Sequence, residues 1–337
     1  MQSDKLRVCM LTKFPPIEGG ISSRSYWLAR GFAEHGLTVH VVTNAMSVED
    51  DYRIAGCESH LSSLEGVTIH STRDVPWHIP FAQAYAERLL NLSLRLIESG
   101  ELDIIDTGFL HPYGTVGYLA HCLTGIPYVV RHGGSDLAKF LNHPEFSQLL
   151  HEVIAHASLV LTDPQHLSYF QQLNERTSAL PPYVPDCRFF RPAQREPGAV
   201  PAIAFFGKIN YYWRHKQLLE LIEAVATRFT KFRLVFYSQG RGLDDFRGSL
   251  TTLGQDIELR PFVPPWKMPD EMGQADYVLV AQDTAIPSFS NIEAEARAMG
   301  KEIIALTPLP MEHSREYGYI EWVRDNIRLL KNHVDSR

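Results

Sequence analysis

The chain has 337 residues, of which 45% are hydrophobic and 21% are charged, and its formal net charge is −7 at pH 7. At about 100–200 residues per domain, this length predicts two domains, and the apolar fraction excludes a disordered chain. Neither half of the chain has the basic excess that binding to nucleic acid or anionic lipid would favour, so we expect no nucleic-acid partner, and peripheral membrane association stays open. No apolar stretch is long enough for a transmembrane helix or a signal peptide, so we expect a cytoplasmic protein.

The four cysteines are scattered along the chain, at Cys9, Cys57, Cys122 and Cys187. They form no Cys-x-x-Cys pair, and none has a histidine nearby at the spacing of metal ligands. We therefore expect reduced thiols and no metal site.

Short β-rich runs alternate with longer helical patterns over the first 180 residues, which predicts βα units and a parallel sheet. The first buried strand is Leu6–Leu11, followed by a turn rich in proline and glycine and a helix from about Ser22 to His35. The later elements predicted here are the strands Val39–Thr43, Val67–His70, Asp103–Asp106, Tyr128–Arg131 and Leu159–Thr162 and the amphipathic helix Ala84–Ser99.

Six prolines between residues 181 and 201 predict a linker, because proline disrupts both helices and strands. The alternation then restarts with the strands Ala202–Phe206, Leu234–Tyr237, Ile257–Phe262, Tyr277–Val280 and Ile303–Leu306 and the helices Leu218–Phe229 and Ile292–Met299. The predicted fold class is α/β, with two doubly wound Rossmann-like domains facing a cleft. Their bounds are 1–180 and 201–310, with a proline-rich hinge over 181–200 and a closing amphipathic helix within 311–337.

The loop after the first strand is the first candidate ligand site, because ligands bind outside the carboxyl ends of parallel strands. Gly19 and Gly20 let the backbone approach a ligand closely, and the helix that follows offers free N–H groups to an anion. An ordinary tight turn between strand and helix explains the same two glycines.

The second domain begins in a parallel way, with Gly207 and Lys208 after its first strand and Lys216 near the start of a helix. Two lysines beside a helix N-terminus can neutralise a diphosphate without a metal ion. The alternative is a pair of solvated surface lysines.

Five segments in chain order extend these two observations. They are Phe14–Gly20 with Leu28–Arg30 and His35–Val39; Pro127–Asp136; Asp186 with Phe190 and Pro192; Gly207–Lys208 with Lys216 and Leu218–Ala224; and Glu295–Lys301. Together they resemble the family 4 glycosyltransferases of GT-B fold. The resemblance implies a retaining, metal-independent enzyme that moves a hexose-type sugar from a nucleoside-diphosphate-sugar co-substrate, with no other cofactor. The acceptor, whether carbohydrate, lipid-linked or small molecule, stays open.

The resemblance also implies roles for single residues. His132 would hydrogen-bond the transferred sugar, and Lys208 and Lys216 would hold the diphosphate, which makes these three the expected catalytic residues. Glu295 would accept hydrogen bonds from the two ribose hydroxyls. The other donor-binding residues implied are Gly19, Gly20, Ser288, Phe289, Ser290, Asn291 and Ile292.

The sequence departs from the family pattern where the transferred sugar is held. Pro287 stands in place of the signature's first glutamate, and Ser288 and Ser290 replace glycines on either side of Phe289. Proline supplies no carboxylate, so sugar recognition differs or is absent. Asp283 is a candidate substitute.

A second departure is a loop lengthened by three residues between Lys208 and Lys216. It carries Tyr211, Tyr212 and Trp213, whose rings either stack on a base or sugar or pack at the hinge. Arg214 is an alternative to Lys216 as the phosphate ligand.

Two rival functions follow from these departures. One is a catalytically impaired partner subunit of the same fold that binds a nucleotide or sugar. The other is a nucleotide-sugar epimerase on a related two-domain fold. Retention of His132, Lys208, Lys216 and Glu295 opposes the partner subunit, and the order of the five segments opposes the epimerase.

Overall fold

The structure is a computed structural model that describes residues 5–45, 48–72, 83–134, 136–192, 200–209, 212–240, 242–251, 257–282, 289–306 and 317–334. Within these ranges the chain forms two parallel β-sheets, one of seven strands and one of five, and helices connect successive strands along the chain. The predicted α/β fold class with two doubly wound domains is confirmed.

The first sheet has the strand order β3-β2-β1-β4-β5-β6-β7, and every pair in it is parallel. Its strands are β1 (Arg7–Leu11), β2 (Thr38–Thr43), β3 (Val67–Ser71), β4 (Ile104–Thr107), β5 (Tyr128–Arg131), β6 (Leu159–Thr162) and β7 (Thr177–Ala179). The sequence did not predict β7, because its three residues include no apolar run. The helices are α1 (Gly20–Glu34), α2 (Glu58–Ser62), α3 (Gln83–Glu98), α4 (Thr115–Thr124), α5 (Ser147–Ala155) and α6 (Leu167–Leu173).

Strand β1 shows why the other strands could be predicted from apolar runs. Val8 and Met10 belong to the hydrophobic cluster on one face of the sheet, whereas Cys9 and Leu11 belong to the cluster on the other face. All four side chains are buried, since helices cover both faces. A strand buried on both sides is continuously apolar, which is the pattern of a parallel sheet.

The second sheet has the order β10-β9-β8-β11-β12, again all parallel. Its strands are β8 (Ala202–Phe206), β9 (Arg233–Tyr237), β10 (Ile257–Arg260), β11 (Tyr277–Leu279) and β12 (Glu302–Ile304), and its helices are α7 (Tyr212–Arg228), α8 (Leu243–Thr251), α9 (Met268–Gly273) and α10 (Asn291–Ala298). Helix α7 begins six residues before the predicted Leu218. Its first turns are aromatic and basic, so they carry no apolar period, although arginine, lysine and glutamine form helices readily.

A final helix, α11 (Tyr319–Val334), lies in the region predicted for a closing helix and packs on the first domain. The hydroxyl of Tyr319 donates to the backbone oxygen of Trp27 at 2.7 Å, and the indole N–H of Trp322 donates to the oxygen of Pro181 at 2.8 Å. Within the described ranges, no helix has the length and apolarity needed to cross a membrane.

The contact between α1 and α11 leaves no room for a side chain at Gly31. A Cβ atom there would lie 2.6 Å from Val323 Cγ2 and 2.7 Å from the Tyr319 hydroxyl. We expect Gly31→Ala to lower the free energy of unfolding by ~1–3 kcal/mol through overpacking. Chemical denaturation measures this loss.

Gly248 in α8 is the matched control, because a Cβ atom there meets nothing within 4 Å. Gly248→Ala is expected to stabilise the protein by ~0.5–1 kcal/mol, since alanine favours a helix over glycine. Equal effects of the two substitutions would contradict close packing of α11 on α1.

Candidate functional site

A cleft of about 400 Å³ lies between the two domains at the carboxyl ends of their strands. Its walls come from the loop after β1 (residues 17–23), the end of β8 (residues 206–208) and the start of α10 (residues 289–292). This volume falls in the range of about 300–1,000 Å³ that is typical of small-molecule sites. Both sheets therefore point their ligand-binding edges at one space.

Three buried polar atoms that line this cleft have no hydrogen-bond partner among the described residues. They are the Ser22 hydroxyl oxygen, the Gln282 amide nitrogen and Oε2 of Glu295. A buried polar group without a partner costs ~1–3 kcal/mol, so it is uncommon unless something else satisfies it. The cleft is therefore complementary to a ligand rich in polar groups.

Glu295 lies where the sequence predicted a donor-binding carboxylate. Helix α10 holds it in the cleft wall, 1% exposed, and the Tyr183 hydroxyl donates to its Oε1 at 3.0 Å. Burial raises the pKa of Glu295 to about 8, although the bond from Tyr183 lowers it in part. Hydrogen bonds from a ligand to Oε2 would stabilise the ionised form.

Lys208 also lines the cleft, but an acidic residue of the other domain already faces it. Its Nζ lies 2.8 Å from Oε2 of Glu18 and donates to the backbone oxygen of Glu18 at 3.1 Å. The same ammonium group lies 4.9 Å from the centre of the Tyr52 ring. Glu18 was not among the predicted site residues, although an acidic residue directly before two glycines was a visible signal.

The structure does not bring Lys216 to the cleft. Its side chain is 71% exposed and pairs with Glu220 on the same helix at 3.7 Å. Arg214 lines the cleft instead and donates from Nη1 to the backbone oxygen of Lys208 at 2.9 Å. Because α7 begins at Tyr212, both residues are helical, and residues 214 and 216 point about 160° apart around the helix. The alternative phosphate ligand, Arg214, is the better placed of the two.

Two helix N-termini meet at the cleft, one from each domain. Helix α1 begins after Gly19, whose φ of 139° suits glycine, and it has neither a side-chain cap nor an acidic residue in its first turn. At α10 the Ser290 hydroxyl accepts a hydrogen bond from the Glu293 N–H, and Asn291 Nδ2 donates to the oxygen of Gly20 at 2.8 Å. Both helix dipoles place positive charge here, which favours an anion.

The predicted donor-binding segment is described only in part. Phe289, Ser290, Asn291 and Ile292 line the cleft, as do Gly19 and Gly20. Pro287, Ser288 and Asp283 lie outside the described residues, as do Tyr211 and the side chains of Tyr212 and Trp213.

One wall of the cleft is apolar and was not foreseen. Phe206 and Tyr237 stack with their ring centres 4.6 Å apart and their planes 9° from parallel. Phe262, Pro265 and Met268 continue this wall. Flat aromatic surfaces of this kind favour a planar apolar group such as a nucleobase.

His132 does not line the cleft; it lies in a separate small cavity of the first domain. Its ring is buried, with Nδ1 at 3.2 Å from the Thr162 hydroxyl and 3.4 Å from Oδ2 of Asp163. Its predicted contact with the transferred sugar therefore stays a prediction.

Glu293, two residues before Glu295 on α10, has a partner of its own, since its Oε1 accepts from Arg297 at 2.9 Å.

A group of three residues beside this small cavity could hold a metal ion. His132, Asp163 and His166 each offer a ligand atom, and these atoms lie within 4.8 Å of one another. Asp163 is already engaged, because both its oxygens accept from His166, and Oδ1 also accepts from the backbone N–H groups of Gln165 and His166. Burial alone would raise the pKa of Asp163, but its bonds with His132 and His166 lower it. A hydrogen-bonded turn accounts for this arrangement.

Comparison with known proteins identifies part of this framework. Residues 19–169 match the family model described as the glycosyl transferase 4-like domain. The match lies within the predicted N-terminal domain. A search of the curated proteins found no matching sequence.

Solved structures resemble nearly the whole chain, including the region that matches this family model. Anabaena HepE in complex with UDP and glucose has a TM-score of 0.63 and 17% identity, and the match covers 98% of this chain and 92% of that chain. Sucrose-phosphate synthase from Thermosynechococcus elongatus has a TM-score of 0.65 and 15% identity, with 98% and 90% covered. The catalytic domain of starch synthase IV from Arabidopsis thaliana, bound to ADP and acarbose, has a TM-score of 0.61 and 11% identity, with 98% and 100% covered. These matches establish the fold, and the predicted family 4 resemblance with GT-B fold is confirmed.

Proposed function

We propose that this protein transfers a hexose-type sugar from a nucleoside-diphosphate sugar to an acceptor hydroxyl, with retention of anomeric configuration. The observation that carries the proposal is the interdomain cleft in which Glu295, Lys208 and two helix N-termini face one another. UDP is present in a structure of HepE and ADP in that of starch synthase IV, which supports a nucleoside diphosphate as the ligand here.

The cleft offers a separate surface to each part of such a donor. The apolar wall with Phe206 and Tyr237 takes the base, and Glu295 accepts hydrogen bonds from the ribose hydroxyls. Lys208, Arg214 and the N-termini of α1 and α10 face the diphosphate. In this division the apolar wall faces the base, the carboxylate faces the ribose hydroxyls, and the cationic groups face the anionic diphosphate.

The same groups have a catalytic use. Cleavage of the bond between sugar and diphosphate builds positive charge on the sugar and negative charge on the leaving diphosphate. Donors fixed around the leaving group therefore stabilise the transition state more than the bound donor. We propose a front-face route without a metal ion, in which the leaving phosphate oxygen takes the proton of the acceptor hydroxyl as the new glycosidic bond forms.

The test begins with thermal unfolding in UDP, GDP, ADP and dTDP, since a ligand that binds only the folded state stabilises it. Sugar conjugates of the stabilising nucleotide are then assayed for transfer, with NMR of the anomeric proton and with and without EDTA. Stabilisation by none of the four would overturn the proposal. Binding without transfer to any acceptor would favour the partner subunit, which the ion pair of Lys208 with Glu18 also favours.

That ion pair leads to a prediction about affinity. Because Glu18 forms an ion pair with the ammonium group of Lys208, a diphosphate that binds Lys208 competes with this carboxylate. We expect Glu18→Gln to tighten nucleotide binding by about tenfold, or ~1.4 kcal/mol, measured by titration calorimetry.

Glu220→Gln is the matched control, because it removes the same charge from a partner of the exposed Lys216. It is expected to leave the affinity unchanged. Weaker binding in the Glu18 variant would show instead that Glu18 helps to hold the donor.

A further inference from the structure

A second cavity, of about 30 Å³, lies in the first domain beside His132 and shares no lining residue with the cleft. It sits at the carboxyl ends of β4, β5 and β6, and Trp322 of α11 forms part of its wall. A water-sized position needs about 10–15 Å³, so two or three small polar atoms fit. The cavity is thus large enough for a carboxylate or for one face of a phosphate.

Arg24 of α1 brings a buried positive charge to this cavity. The residue is 9% exposed, and its guanidinium donates to the backbone oxygen of Gly108 at 3.2 Å. Among the described residues, no carboxylate lies within ion-pair distance of it. Burial lowers the pKa of Arg24 to about 10, so the group stays charged at neutral pH. A guanidinium has five N–H donors, and most of these remain available to a ligand.

The two acidic residues that line this cavity already have partners. Asp106 accepts two hydrogen bonds from Arg131, at 2.6 and 2.8 Å, and Asp163 accepts from His166. Asp136 does not line the cavity but acts on Arg24 through space. Its Oδ2 accepts from the backbone N–H groups of Leu110 and Gly133, and its Oδ1 is buried without a hydrogen-bond partner among the described residues. Within the described part of the chain, Arg24 therefore forms no ion pair.

His132 supplies the second polar group. Its Nε2 is buried and has no partner among the described residues, whereas Nδ1 faces Thr162 and Asp163. In the tautomer that carries its proton on Nε2, the ring can donate to an oxygen in the cavity. Arg24 and His132 thus offer donors to the same space.

We propose that this cavity binds a small oxyanion, a carboxylate or a phosphate group, between the guanidinium of Arg24 and the imidazole of His132. This anion site does not depend on the function proposed for the cleft.

The test measures thermal unfolding of the full chain in sodium formate and in sodium phosphate, each against sodium chloride at equal ionic strength. We expect a saturable rise in Tm that Arg24→Gln abolishes and that Lys208→Gln, a change in the cleft, preserves. A rise with formate indicates a carboxylate, and a rise with phosphate alone indicates a phosphate group. Arg30→Gln is the matched control, since Arg30 lies on the same helix but pairs with Glu34.

Wild-type crystals soaked in selenate give a result that does not depend on how the variants fold. An anomalous peak between Arg24 and His132 supports the proposal. A peak in the cleft alone, or a rise in Tm that depends on Lys208 and not on Arg24, overturns it. Nucleotide binding is measured separately through Glu295, so failure of the anion site leaves the proposed donor site standing.

Discussion

Glu295→Gln is expected to weaken binding of the nucleoside-diphosphate sugar by about 10- to 100-fold. The amide keeps an oxygen for the Tyr183 hydroxyl but loses the charged acceptor that the ribose hydroxyls need. A hydrogen bond to a charged group contributes ~1.5–3 kcal/mol, which corresponds to this loss. Titration calorimetry measures the affinity.

Glu293→Gln is the control, because Glu293 lies on the same helix and pairs with Arg297 outside the proposed ribose contact. Its affinity for the donor is expected to match that of the wild type. Equal losses in the two variants would indicate damage to α10 and would remove the evidence for a ribose contact.

The raised pKa of Glu295 adds a pH dependence with a definite sign. The pKa of Glu295 is about 8 in this structure, so the group is mostly protonated at neutral pH. Hydrogen bonds from the ribose favour the carboxylate and lower its pKa, so donor binding releases a proton. The dissociation constant should therefore fall as pH rises from about 6 to 8.

This proton release can be measured directly, by calorimetry in buffers of different ionisation enthalpy. A sugar-linked diphosphate has no group that titrates in this range, so the signal belongs to the protein. Glu295→Gln should abolish it. Release that persists in this variant would assign the proton to another group.

Lys208→Gln is expected to lower the transfer rate by about 100- to 1,000-fold, the usual cost of removing one donor from a developing anion. The measurement is kcat with saturating donor, which separates transition-state stabilisation from binding. Because Lys208 also faces Glu18, the variant leaves a carboxylate in the cleft. The double variant with Glu18→Gln therefore separates loss of the cation from the repulsion of that carboxylate.

Lys216→Gln serves as the control for Lys208, since both substitutions remove one ammonium group from the same segment. Its side chain is exposed and outside the cleft, so kcat should change little. A large loss in this variant, with Arg214→Gln unaffected, would restore the role that the family resemblance implied for Lys216.

Much of the architecture was predictable because it depends on local chemistry. Strands buried on both faces are continuous apolar runs, so β1, β5, β6 and β8 were recognisable in the sequence. Gly20 and Lys208 were predictable for a related reason. Each follows a strand or begins a helix, and parallel strands bring their carboxyl ends to one edge. Glu295, within α10, was predicted from the family resemblance alone.

The contacts between distant segments depended on how the domains pack. Lys216 was preferred to Arg214 on the family resemblance. Helix α7 begins six residues earlier than predicted, so both residues are helical, and helix phase places Arg214 rather than Lys216 in the cleft wall. Pairing of Glu18 with Lys208 joins residues 190 positions apart, which no local pattern encodes.

The sequence by itself therefore determined the two parallel sheets, the family resemblance and the residues at the strand ends. Apolar runs, glycines and charged residues at those positions can be recognised from the residues next to them in the chain. Only the tertiary structure decided which cation faces the cleft, which carboxylate opposes it, and that His132 shares a separate cavity with Arg24. Helix phase and domain packing set these distances, because they place side chains that lie far apart in the chain within a few ångströms of one another.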